Sequence, residues 1–169
     1  MKIIQMLPTI SYGDAVSNGA LALHALIAGL GYGTGIYAEN IGPGLPPGIV
    51  RQIHSLPRLH KQDVIIYHLS TGTALNYTLE NYKGRKIIIY HNITPPEFFE
   101  GYSRHGVEMG KDGLRGMAYL SDHADYCLAV SEFNKKQLQK AGYTCRIDVL
   151  PILIPFRDYK KKPDRKIMS

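Results

Sequence analysis

Short apolar runs recur along this chain with helix-length stretches between most of them, and that alternation constrains the fold more than any other feature. The runs are Lys2–Leu7, Gly35–Glu39, Asp63–Leu69, Lys86–Tyr90, Tyr126–Val130 and Arg146–Leu150. Most are rich in Val, Ile, Leu or Tyr and too short for core helices, so they read as strands buried on both faces. Strands joined by helix-length segments need crossover connections, which gives a parallel sheet with helices on both sides.

The intervening segments carry helix signals. Asp14 can cap a helix with Ala20, Leu23, Ile27 and Leu30 at helical spacing, stopped at Gly31 or Gly33. Thr73–Tyr82 places Leu75, Leu79 and Tyr82 on one face and ends at Gly84. Leu114–Ala124 reads as helix, and Ser131 caps a helix through Lys140 that stops at Gly142. Pro8 ends the first strand, Gly42–Pro57 is mostly loop, and Pro95–Gly113 is irregular with at most a helical turn.

A chain of 169 residues can bury about 70% of its unfolded surface, enough for one core. The apolar stretch at Lys2–Leu7 is too short for a signal segment or a membrane span, so a cytoplasmic protein is expected. Cys127 and Cys145 then read as reduced core thiols. Asn76-Tyr77-Thr78 and Asn92-Ile93-Thr94 match the glycosylation pattern, which carries no weight without a secretory signal. The chain has 20 basic and 14 acidic residues, a net charge of +6, with much of the excess between Arg157 and Lys166. That run reads as a solvated linker, with weak peripheral contact to an anionic membrane as the other reading. No nucleic-acid fingerprint appears, so nucleic acid is not an expected partner.

In a parallel sheet the loops after the first, third, fourth and fifth runs share one rim, where ligands of open α/β sheets bind. Those loops carry Ser11-Tyr12-Gly13-Asp14, His68-Leu69-Ser70-Thr71-Gly72, His91-Asn92-Ile93-Thr94 and Ser131-Glu132-Phe133. Each polar residue there has a structural reading beside the functional one. Gly13 either brings backbone close to a ligand or serves a plain turn, and Asp14 caps the first helix. His91 ends a buried strand, so it either contacts a ligand, with a ring nitrogen facing the open rim, or is hydrogen-bonded within that rim. His68 stands equivalently one strand earlier, flanked only by Ser70 and Thr71. Ser131 reads as a helix cap, and His24 as a surface or packing residue. His54, His60, His105 and His123 show no metal-ligand spacing, and neither a metal nor a cofactor is expected. Gly29–Gly35 resembles a dinucleotide fingerprint but follows a helix and precedes a strand, the reverse of the required order. No Walker loop and no Gly-x-Ser-x-Gly elbow occurs.

Four blocks carry a family resemblance: Leu7–Ala15, Asp63–His68, Tyr90–Phe99 and Ala129–Asn134. Together they resemble the N-terminal domain of a family 4 retaining glycosyltransferase of the GT-B fold, which uses nucleotide-sugar donors. The resemblance implies a three-layer Rossmann-like domain over residues 1–155, the acceptor side of the enzyme. Residues 156–169 would be a linker towards a C-terminal donor-binding domain. It implies that His91 contacts the donor sugar at the reaction centre and that Gly13, Asp14 and Asn92 lie near the donor phosphates or sugar. Tyr12, Asn18, His68, Thr94, Ser131 and the Gly42–Pro57 loop would face the acceptor, a sugar, lipid-linked or other molecule. The first loop reads Tyr-Gly-Asp where the wider family commonly has Gly-Gly. The family's donor-site Glu-x7-Glu spacing occurs at Glu100 and Glu108, but in the wrong domain.

The expected activity is therefore sugar transfer in carbohydrate biosynthesis, incomplete in this half alone, because transfer needs both walls of the cleft. Two other classes remain open: a stand-alone Rossmann-like binding or regulatory module, and a GT-B nucleotide-sugar epimerase.

Overall fold

The computed structural model describes residues 1–152, so the expected linker at 156–169 lies outside the described residues. Seven strands form one sheet: β1 (Lys2–Ile10), β2 (Gly33–Ile41), β3 (Val50–Gln52), β4 (Val64–Leu69), β5 (Arg85–Tyr90), β6 (Tyr126–Ala129) and β7 (Ile147–Val149). The helices are α1 (Ala15–Gly29), α2 (Leu75–Thr78), α3 (Arg104–Tyr119) and α4 (Glu132–Lys140), with short 3₁₀ turns between some elements. The strand order is β3-β2-β1-β4-β5-β6-β7 and every neighbouring pair is parallel. The protein is thus an α/β domain of the three-layer Rossmann-like kind, as the alternation of runs predicts.

Side chains alternate between the two faces of each strand. On one face Met6, Tyr67, Leu69, Ile88, Tyr90 and Cys127 pack with Leu75 and Leu79, with Met117 and Leu120, and with Leu138 of α4. Three helices seal that face. Both cysteines are free, and their sulfurs meet there at 3.5 Å. Among the described residues α1 is the one helix on the opposite face, joined there by Leu45 and Ile49 of the loop after β2. The apolar residues of that face form two smaller groups, Leu7 with Ala20 and Ile36, and Ile27 with Ile66 and Ile89. Leu128 and Val130 on that face are only half-buried.

Three differences from the sequence reading have local causes. β1 continues through Pro8 to Ile10. Its pairing with β4 ends at Met6–Tyr67, so the missing proline N–H falls where β1 has β2 as its only partner. The expected helix over Thr73–Tyr82 shortens to α2 and a 3₁₀ turn at Leu79–Asn81, enough to bury Leu75 and Leu79.

The largest difference is α3, which occupies most of the stretch expected to be irregular. Its glycines lower helix propensity, but they let the helix ride on the loop after β4. A Cβ on Gly116 would lie 2.4 Å from Asn76 Nδ2, and one on Gly113 would lie 2.9 Å from the Gly72 nitrogen. Close packing selects the helix that local preference argues against. Ser103 caps it, accepting a hydrogen bond from the Gly106 N–H at 3.0 Å.

Candidate functional site

The strand order reverses between β1 and β4, and the crevice of such a sheet opens at the carboxyl edge of that switch point. Gln5 of β1 pairs in register with Ile66, and His68 of β4 pairs with Ile89. With period-two alternation, Gln5, His68 and His91 therefore share the face covered by α1. They form a continuous hydrogen-bonded chain. Gln5 Nε2 donates to the Ala20 carbonyl of α1 at 3.0 Å, Gln5 Oε1 meets His68 Nε2 at 2.9 Å, and His68 Nδ1 meets His91 Nε2 at 2.9 Å. The two imidazole planes are 14° apart with centroids 5.1 Å apart, too far for face contact and consistent with an edge-to-edge bond.

The expectation that a His91 ring nitrogen faces the open rim is not met. Nε2 is turned to His68, and Nδ1 is buried with no hydrogen-bond partner among the described residues. The reason is register: His68 stands one strand away on the same face and captures the ring. His68 itself is 1% exposed with both nitrogens engaged, so it stands behind His91 and offers no free ring nitrogen to an acceptor. Burial pushes the His91 pKa down to about 4, with the Asp14 carboxylate pulling weakly the other way. Burial, and then His91, hold His68 well below the ordinary histidine range. Both rings are neutral at pH 7. A cavity of about 40 Å³ lies against the pair, lined otherwise by apolar groups that include Leu23, Val130 and Leu150.

The first loop is built around its cap. Asp14 Oδ2 accepts from the Ser17 N–H and hydroxyl, both at 2.8 Å, and Ser17 Oγ accepts from the Ser11 N–H at 3.0 Å. The Asp14 carboxylate thus already occupies the α1 N-terminus, and a second anion there would meet its charge. Gly13 has φ +82° and nothing within 4 Å of where a Cβ would stand, which leaves its backbone open to approach. Tyr12 is 78% exposed, and Asn18 and Thr94 are exposed too. Among the described residues these three side chains form no hydrogen bond with the other candidates.

The turn after β5 brings two more candidates together. Asn92 adopts φ +78°, a left-handed conformation that Asn tolerates better than most residues. Its Oδ1 accepts from Asn134 Nδ2 at 3.2 Å. Ser131 caps α4, accepting from the Asn134 N–H at 3.1 Å and donating to Asn134 Oδ1 at 2.5 Å. Asn134 thereby ties Asn92 to Ser131. Below them Tyr90 OH accepts from the Ile93 N–H at 3.2 Å, which pins the turn to the core. Thr94 reaches a separate cavity of about 90 Å³, shared with Ser70, Thr71, Phe99 and Met109.

Sequence reasoning missed Gln5, Glu39, Thr73 and Asn134. A polar Gln inside the apolar Ile3-Ile4-Gln5-Met6-Leu7 run was a usable signal, since a polar group buried on a central strand must find a partner. Glu39, near the end of β2, accepts from the Thr73 hydroxyl in the loop after β4, a pairing no spacing rule reveals. Among the described residues no group of three or more His, Cys, Asp or Glu side chains is placed to hold a metal ion, and no helix is long and apolar enough to cross a membrane. The arrangement offers hydrogen-bonding groups around a neutral histidine at a sheet edge. No family model matches this chain, and no curated protein matches it.

Proposed function

We propose that this chain is the acceptor-side N-terminal domain of a retaining GT-B glycosyltransferase that moves a sugar from a nucleotide-sugar donor to an acceptor. One observation carries the reading: His91, the Asp14-capped turn and the Asn92–Asn134–Ser131 cluster gather at the carboxyl edge of the sheet, beside its switch point. That is where a Rossmann-like domain presents its ligand crevice, and these are the positions that the four resembling blocks assign to donor and acceptor contact. In this reading His91 contacts the donor sugar, the open backbone at Gly13 lies near the phosphates, and exposed Tyr12, Asn18 and Thr94 belong to the acceptor wall.

Half of the cleft does not suffice for transfer. Charge on a departing diphosphate has to be stabilised in a water-excluded site, and here the α1 N-terminus behind the first loop is already taken by Asp14. A helix dipole contributes only roughly 0.3–1 kcal/mol. Calorimetric titration of the chain with UDP- and GDP-sugars is therefore expected to show no binding at sub-millimolar concentrations. Micromolar affinity, or sugar transfer by the chain alone, would overturn this reading in favour of a self-sufficient nucleotide-binding module.

A further inference from the structure

We infer that Gln5 and His68 are positioning residues that lock His91 in its Nε2–H tautomer, so that His91 meets a ligand through Nδ1 as a hydrogen-bond acceptor. The argument starts at α1. The Ala20 carbonyl can only accept, so the Gln5 atom facing it at 3.0 Å is the amide nitrogen. Gln5 Oε1 is left facing His68 Nε2 at 2.9 Å, and an amide oxygen carries no proton. His68 Nε2 must therefore donate. A neutral imidazole holds one ring proton, so His68 Nδ1 is bare and accepts. Its partner at 2.9 Å, His91 Nε2, must then be the donor. The one proton of neutral His91 is spent on that bond, and its Nδ1 keeps a free lone pair.

A second observation agrees with this order of protons. His91 Nδ1 is buried and has no partner among the described residues. A buried N–H left unpaired is rarer in folded proteins than an under-satisfied acceptor, so the bare nitrogen belongs at the orphan position. The anchor of the relay is also rigid: Gln5 is fully buried on the central strand β1.

The tautomer sets the chemistry of the ligand group. A bare, neutral Nδ1 attracts a hydroxyl or another hydrogen donor, and it repels the oxygens of a phosphate. The cavity of about 40 Å³ beside His91 has room for one group of that size. Identifying the group as a sugar hydroxyl rests on the proposed transferase reading, whereas the tautomer does not. His91 is thus separated from the phosphate-proximal role that the first loop is left to fill.

Nitrogen-detected NMR of the ¹⁵N-histidine-labelled chain near pH 7 reads the tautomer directly. The expected spectrum shows His91 Nε2 as the protonated nitrogen and Nδ1 as the bare one. Gln5→Met removes the acceptor from His68 at similar volume. His68 is then free to place its proton on Nδ1, and His91 should no longer be held in the Nε2–H form alone. A wild-type His91 in the Nδ1–H form, or a Gln5→Met chain that folds by circular dichroism yet leaves His91 unchanged, would each overturn the relay. Should Gln5→Met not fold, the wild-type spectrum decides. Micromolar nucleotide-sugar binding, or sugar transfer by the chain alone, would count against the proposed function and leave this result standing.

Discussion

The two faces of the sheet are built to different specifications. The face under α2, α3 and α4 is a continuous apolar core whose largest members, Tyr67, Tyr90 and Leu120 among them, are fully buried. The face under α1 is thinner. Its apolar groups are split in two, half-buried Leu128 and Val130 lie along one side, and the Gln5–His68–His91 chain runs through it. One face holds the larger core, while the other carries the Gln5–His68–His91 chain to the rim.

Paired truncations test that division most strongly. Leu120→Ala on the sealed face should cost about 2–5 kcal/mol of unfolding free energy, the usual range for a buried Leu→Ala change. Leu128→Ala on the α1 face should cost clearly less, because its side chain is already partly in water. Urea denaturation of both variants measures the gap, and equal losses would break the comparison.

Acid should strike the thin face first. His68 and His91 are held neutral in the fold, so between the ordinary histidine pKa of 6.5 and about 4 the unfolded chain binds more protons than the folded one. Stability is therefore complete above pH 6.5 and lost as pH falls towards 4. The ceiling for His91 is on the order of 3 kcal/mol, at about 1.4 kcal/mol per pKa unit. Asp63, held below the carboxylate range by backbone bonds from His60 and Lys2, loses its contribution only as pH falls below its ordinary value of 3.8. A His68→Gln, His91→Gln double variant should accordingly flatten the unfolding free energy between pH 6.5 and 4 and leave the drop below it.

Smaller effects belong to the rim. Asn92→Ala should cost about 1–2 kcal/mol, the penalty of a left-handed backbone without a compensating side chain. Asn92→Gly relieves that strain and should retain more stability in the same thermal melt, although both variants lose the bond to Asn134. Ser131→Ala removes the α4 cap and should cost about 1 kcal/mol. A loss much larger than that would mean that the Asn134 cluster behaves as a cooperative network.

Much of the framework was legible because hydrophobic period and capping are local signals. Ile3-Ile4, Val64-Ile65-Ile66 and Ile87-Ile88-Ile89 mark central strands, and the caps at Asp14 and Ser131 are where the sequence places them. The edge strand β3 lay hidden in the Gly- and Pro-rich stretch at Gly42–Pro57, since three residues carry too little pattern to separate a strand from a loop. The candidate site was legible only in outline. The rim residues could be gathered from the parallel topology, but which of them touch depends on register across strands.

The sequence by itself determined the alternating α/β order, the parallel sheet and the set of polar residues at its carboxyl edge, because each follows from the period of nearby residues. Tertiary structure alone decided that a glycine-lined segment becomes α3, since the close approach of Gly113 and Gly116 to Gly72 and Asn76 outweighs weak helix propensity. It alone decided that His91 turns to His68 and that Gln5 anchors both rings. Those bonds join residues 23 and 63 positions apart, and a buried polar group takes whichever partner the packed strands bring within reach.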